Sequence, residues 1–188
     1  MVKAKFSNEM IKYIEQLKNS NFIKYFIDNQ TNGASAYCKL GIESNNICLD
    51  IFNEETSVEW FISDDGVNKE DISVFSCKIR EDNENFKPYI EESEIESVIV
   101  NEKINNVKIV SDIINVNNGE YVIDYDMAII IETEQHNYVF SRGWFFSEEI
   151  YINVDKDIND IYSVKEVKES WSNDGEFNVE VKRVVNVI

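Results

Sequence analysis

Apolar residues along this chain follow two periods, and the change between them falls near residue 33. Met10, Tyr13, Ile14 and Leu17 recur three and four residues apart, with Lys12, Glu15 and Lys18 turned away, which predicts an amphipathic helix. Ser7 or Asn8 supplies a side-chain cap for its start. Phe22, Ile23, Phe26 and Ile27 carry helical spacing on through 21–28, so residues 1–30 read as one broken amphipathic helix. Beyond Gly33 the period falls to two. Ile47, Leu49 and Ile51 alternate with Cys48 and Asp50, and Val58, Trp60 and Ile62 alternate with Glu59, Phe61 and Ser63. The intervening NEETS is expected to close a hairpin, with a third strand following over 72–79.

Turn chemistry supports the strands. Four of the six glycines follow Asn or Asp, at Asn32-Gly33, Asp65-Gly66, Asn118-Gly119 and Asp174-Gly175. Such pairs supply the positive φ that tight hairpins need. Asn118-Gly119 joins arms over 107–116 and 121–133. In the second arm Tyr121, Ile123, Tyr125, Met127, Ile129 and Ile131 share one face. The other face is acidic at its ends and apolar at Ala128 and Ile130, so the middle of this strand is expected to be covered on both sides. Asp174-Gly175 is read as joining a strand over 164–171 to one over 176–187, whose apolar face Arg183 interrupts. The expected fold is α+β, an N-terminal broken amphipathic helix packed on a mainly antiparallel, hairpin-rich sheet. One domain is expected over 1–188, with 34–188 mostly antiparallel β.

Charge adds a second constraint. The chain has 36 acids and 18 bases, a net of −18. Residues 1–30 hold five lysines against Glu9, Glu15 and Asp28, whereas 40–134 hold six bases against 23 acids. That surface repels nucleic acid and anionic membranes, because phosphate contacts require lysine and arginine. It attracts basic proteins. Cys38, Cys48 and Cys77 are odd in number and form no C-x-x-C pair, so buried reduced thiols are expected. No apolar run follows the first lysines and none is long enough to span a bilayer, which points to a cytoplasmic protein without a signal peptide.

The equipment of catalysis is thin. His136 is the one histidine and sits in a polar EQHN turn, where a solvated side chain is expected. Asp155, Asp157, Asn159 and Glu166 fall at calcium-loop spacing, but Asp160 stands where the sharp turn calls for glycine. Glu166-Val167-Lys168 and Glu180-Val181-Lys182 match the Glu-x-Lys of metal-dependent nucleases only as chance triplets do. No metal or other cofactor is expected. Asp124 and Asp126 share a strand face, and paired carboxylates of that kind keep a small-molecule-binding or hydrolytic domain open as the alternative reading.

Two stretches suit protein contact. SRGWFFSEEI, 141–150, places Trp144, Phe145 and Phe146 in a connection after Gly143; at least one ring is expected to plug the core, with Trp144 left as a candidate anchor. EDNENFKPYIEESEIE, 81–96, has seven acids in sixteen residues around Phe86 and Tyr89. Acids steer a basic partner, and aromatics lengthen the life of the complex. The candidate contact residues are Glu81, Asp82, Glu84, Phe86, Tyr89, Glu91, Glu92, Glu94, Glu96, Asp124, Asp126, Glu132, Glu134 and Trp144. In its acidity, its acidic-aromatic stretches and its lack of a catalytic set, the chain resembles bacterial toxin-immunity proteins. That resemblance implies direct binding of a basic toxin, a nuclease among the possibilities.

Overall fold

The computed structural model describes residues 1–28, 35–63, 66–81, 84–172 and 175–188, with the backbone alone for 60–63, 66–68 and 70. Its strands are β1 (Val2–Ala4), β2 (Asn21–Asp28), β3 (Ser35–Tyr37), β4 (Lys39–Ser44), β5 (Cys48–Ser63), β6 (Gly66–Arg80), β7 (Ile95–Val116), β8 (Tyr121–Thr133), β9 (Asn137–Arg142), β10 (Glu149–Val154) and β11 (Val179–Val187). Helices are few: α1 (Asn8–Glu15), the single turn α2 (Ile158–Ile161) and α3 (Val164–Ser172).

The expected α+β architecture is therefore overturned. The chain is near all-β, and the broken amphipathic helix over 1–30 does not exist as such. α1 starts where expected, with Ser7 Oγ accepting from the Met10 N–H at 3.2 Å, but it ends at Glu15, and Asn19 turns the chain at φ 61°. Residues 21–28 are strand β2, paired with β4 on one side and β7 on the other. The misleading spacing has a physical cause. A register shift between Phe22 and Lys24 adds a residue to the strand, so the inward side chains are Phe22, Tyr25 and Ile27. A bulge of this kind breaks the period of two and imitates a helical face.

Two further expectations fail. NEETS closes no hairpin: β5 runs through it and pairs with β6 along nearly its whole length. The loop expected at Asp65-Gly66 falls on residues 64–65, which lie outside the described residues. Residues 164–172 form α3 rather than a strand, because Ser163 and Glu166 cap each other. Glu166 Oε2 accepts from the Ser163 N–H at 2.7 Å, and Ser163 Oγ accepts from the Glu166 N–H at 3.1 Å. This capping box is written in the sequence as S-V-K-E and stabilises the first turn.

The sheet path runs β3-β10-β9-β8-β7-β2-β4-β5-β6, with β1 parallel to β8 and β11 antiparallel to β7. β3 and β4 are one run of chain bent at Cys38, whose φ is 58°. The bend lets β3 pair with β10 while β4 pairs with β2, so these strands close a circuit with β7, β8 and β9. One apolar cluster fills it, with Phe22, Tyr25, Leu40, Ile104, Ile131 and Phe140 among its members. A second lies on the other face of β7 and β8, where Val110, Ile114, Met127, Phe145 and Val167 meet. Burial on both sides makes 125–129 continuously buried, so β8 is covered twice at its middle as expected, but the stretch takes in Asp126 and leaves Ile130 half-buried. Arg183, the interruption in the apolar face of β11, pairs across to Asp112 of β7 with two bonds of 2.7 and 2.8 Å.

Candidate functional site

The 81–96 segment is fastened to the sheet by its own aromatic ring and by cations beneath it. Phe86 is buried, stacked on Phe26 with centroids 5.2 Å apart. It lies on Gly41, where a Cβ would stand 2.5 Å from Phe86 Cδ2, so the slot exists only because residue 41 has no side chain. Lys39 Nζ sits 4.7 Å from the ring centre and donates to the Lys87 carbonyl at 2.6 Å. Arg80 Nη1 reaches the Glu84 carbonyl at 3.4 Å. Both cations meet one carboxylate, Asp50, at 2.9 Å from Lys39 and 3.0 Å from Arg80. Two buried positive groups on one buried negative group leave a local surplus of positive charge, which favours an acidic segment lying over it.

On this support Glu81, Glu84, Glu91, Glu92, Glu94 and Glu96 are exposed, and among the described residues none of them makes an ion pair. Asp82 lies outside the described residues. Tyr89 is 45% exposed and meets Tyr37 edge-on at 6.0 Å. Tyr37 donates its hydroxyl to Glu148 at 2.6 Å, and this bond holds its phenol well above the ordinary value. The Tyr89 phenol is also pushed up, first by Cys38, then by partial burial and by Glu54, Glu148 and Glu55, which puts those carboxylates within electrostatic reach. Glu54, Glu55 and Glu148 were not singled out in the sequence, because β5 and the 143–149 connection approach Tyr89 only in three dimensions.

The other contact candidates separate. Phe86 is an internal plug and Asp126 an internal acceptor, so burial removes both from the surface set. Asp126 accepts from the Ser111 hydroxyl at 2.6 Å and the Phe6 N–H at 2.8 Å, with Lys5 at 3.4 Å. Asp124 pairs with the same Lys5 at 3.0 Å, and Glu132 pairs with Lys108. Glu134 is exposed. In the SRGWFFSEEI connection Phe145 is the ring that enters the core, while Trp144 and Phe146 are 36% and 44% exposed. Gly143 is required there, since a Cβ would lie 1.9 Å from the Tyr151 ring.

His136 stays 40% exposed in its turn, as expected, and is in addition tied to a carboxylate. Its Nδ1 lies 2.7 Å from Asp155 Oδ2, and its Nε2 lies 3.9 Å from buried Glu102. The bond to Asp155 raises the imidazole pKa above 6.5, while the Asn137 N–H and then His136 lower that of Asp155 below 3.8. The histidine's contribution to stability is full below its unfolded pKa and is lost as pH rises through its raised folded value. The aspartate's is full above its unfolded pKa and is lost as pH falls through its depressed one. The pair is thus complete between about pH 4 and 6.5. A proton-NMR titration of His136 is expected to give a midpoint above that of an Asp155→Asn protein; identical midpoints would remove the pair.

Burial pushes the thiols of Cys38 and Cys77 up to about 12, which leaves both as inert neutral groups near neutral pH. Among the described residues no group of three or more His, Cys, Asp or Glu side chains is placed to hold a metal ion, and no helix is long and apolar enough to cross a membrane. No protein-family model, curated protein or solved structure matches the chain.

Proposed function

We propose that this chain is an acidic protein-binding module that captures a basic protein through the surface around Tyr89. The observation that carries the reading is a set of exposed carboxylates without ion pairs among the described residues, on a segment already fastened by Phe86, Lys39 and Arg80. A fixed segment loses little conformational freedom on binding, so more of the contact energy appears as affinity. Tyr89 supplies exposed aromatic surface among the acids, a composition that suits long-lived contacts. The resemblance to toxin-immunity proteins makes a basic toxin, a nuclease among them, the first partner class to examine. Two carboxylates acting together on a small substrate are supported less well: Asp124 and Asp126 are both held by Lys5, and Asp126 is buried.

The test is affinity capture from a lysate of the native host with two baits, the parent chain and one with Glu91, Glu92, Glu94 and Glu96 changed to Gln. A basic protein should be retained by the parent at low salt, weakened at ~0.5 M salt where screening is strong, and lost with the variant. Equal retention by both baits would defeat the reading.

A further inference from the structure

The long strand β7 has different neighbours along its length. Residues 95–103 pair with β2, and 104–116 pair with β8, joined by β11 along 108–116. β2 and β8 lie on opposite edges of it. The Ile104 N–H donates to the Ser20 carbonyl at 2.8 Å, whereas the carbonyl of the preceding residue, Lys103, accepts from the Glu134 N–H at 3.1 Å. Backbone groups of successive strand residues face opposite sides. The β8 side of β7 therefore continues past Lys103 with no strand along it. Among the described residues, 95–101 make no backbone hydrogen bonds except those to β2. β6, at the end of the sheet path, is better covered, since the Phe145 carbonyl accepts from its Ser73 N–H at 3.1 Å. β11 also has an open edge, but its exposed Glu180 and Lys182 balance in charge.

The pleat sorts the side chains along this edge. Ile95, Ser97 and Ile99 share the outer face, where Ser97 lies opposite Phe26 and Ile99 opposite Lys24. Phe26 is also the ring on which Phe86 stacks, so the edge and the fastened acidic segment lie side by side. Val98 and Val100 turn inward onto the core, and Glu96 shares their face opposite buried Ile27. Ile95 is 45% exposed and Ile99 71%. Glu94 and Glu96 are exposed and make no ion pair among the described residues. Those acids oppose pairing with a second copy, which would bring like charges together along the edge. They favour a basic strand instead.

We infer that the open edge of β7 is where a basic protein partner docks, laying an extended segment along 95–101 as an added strand. Lysine or arginine of that segment faces Glu96, and apolar residues lie against Ile95 and Ile99. Main-chain hydrogen bonds supply the affinity of such a contact, and alternate side chains supply its selectivity. The stretch is as long as an ordinary strand and ends at Asn101, where φ is 56°. This docking mode rests on the reading of the acidic surface as a protein-binding face, and adds the form in which the partner presents its charge.

The probe is the peptide acetyl-Thr-Lys-Val-Lys-Val-Lys-Thr-amide, added to the full chain at low salt and read by amide hydrogen exchange in nitrogen-15 spectra. In the free chain the amides of 95–101 that face away from β2 should exchange fast. Peptide at ~1 mM, within reach of a weak site, should slow them about tenfold or more and leave the amides of β11 unchanged. The same peptide N-methylated throughout keeps its charge and side chains but has no N–H to donate, and it should bind about tenfold or more weakly. Glutamate in place of lysine should abolish the protection. No slowing at 95–101, equal slowing at β11, or equal protection by the glutamate peptide would overturn the docking mode. Equal binding of the methylated peptide would overturn the edge while leaving the acidic surface in place. Failure of the acidic reading is distinct, and shows as equal retention by the parent and glutamine baits.

Discussion

Changing Asp50 to alanine is expected to lower the free energy of unfolding by roughly 3–5 kcal/mol, the largest effect of any single exchange on the acidic surface's support. Asp50 is 2% exposed and is the shared carboxylate of Lys39 and Arg80, themselves 8% and 6% exposed. Without it two cations lose their shared counter-charge in low dielectric, and among the described residues Arg80 Nη2 already has no hydrogen-bond partner. The Lys165–Glu169 pair is the internal comparison. Its side chains are 82% and 63% exposed, so Glu169→Ala should change stability by no more than about 0.5 kcal/mol. Urea unfolding of both variants checks the contrast. The Asp50 variant should also lose amide-exchange protection around 84–87, because Lys39 and Arg80 hold the carbonyls of that stretch. Equal losses of stability in the two variants would show that Asp50 does not organise the site.

Replacing Glu54, Glu55, Glu91, Glu92, Glu94 and Glu96 together by glutamine is expected to slow association with the captured partner about 10- to 100-fold at low salt. Stability should be almost untouched, since among the described residues none of the six makes an ion pair. Stopped-flow association across a salt series separates the two roles of the surface. The parent's rate should fall steeply with ionic strength and the variant's should stay nearly flat. Tyr89→Ala should act differently, raising the dissociation rate while leaving the approach unchanged. Salt dependence that survives in the glutamine variant would assign the steering to the remaining exposed acids, Glu81 and Glu84 on the same segment and then Glu134.

Features governed by near neighbours were legible in the sequence. Asn118-Gly119 makes the β7–β8 turn, with Asn118 at φ 59° and Gly119 at φ 101°, because positive φ is a property of those residues themselves. Ser7 caps α1 for the same local reason. The S-V-K-E box before Val167 is equally local, and the strand expected over 164–171 from the Asp174-Gly175 dipeptide takes no account of it. Gly175 does turn the chain, at φ 90°, but it leads out of a helix.

The chain's sequence by itself determined its charge, the Asn118-Gly119 hairpin tip and the Ser7 cap of α1, all set by residue type or by neighbours a few positions away. Only the tertiary structure decided that 21–28 is a strand, since β4 and β7 pair with it and a bulge disguises its period. The same holds for the acids. Asp126 and Glu91 are both carboxylates in an acidic chain, but one is enclosed by Ser111, Phe6 and Lys5 while the other faces solvent. Phe86 looked like an anchor for a partner and instead fills the slot over Gly41. Burial is a sum over contacts between segments far apart in the chain, and residue type alone does not contain that sum.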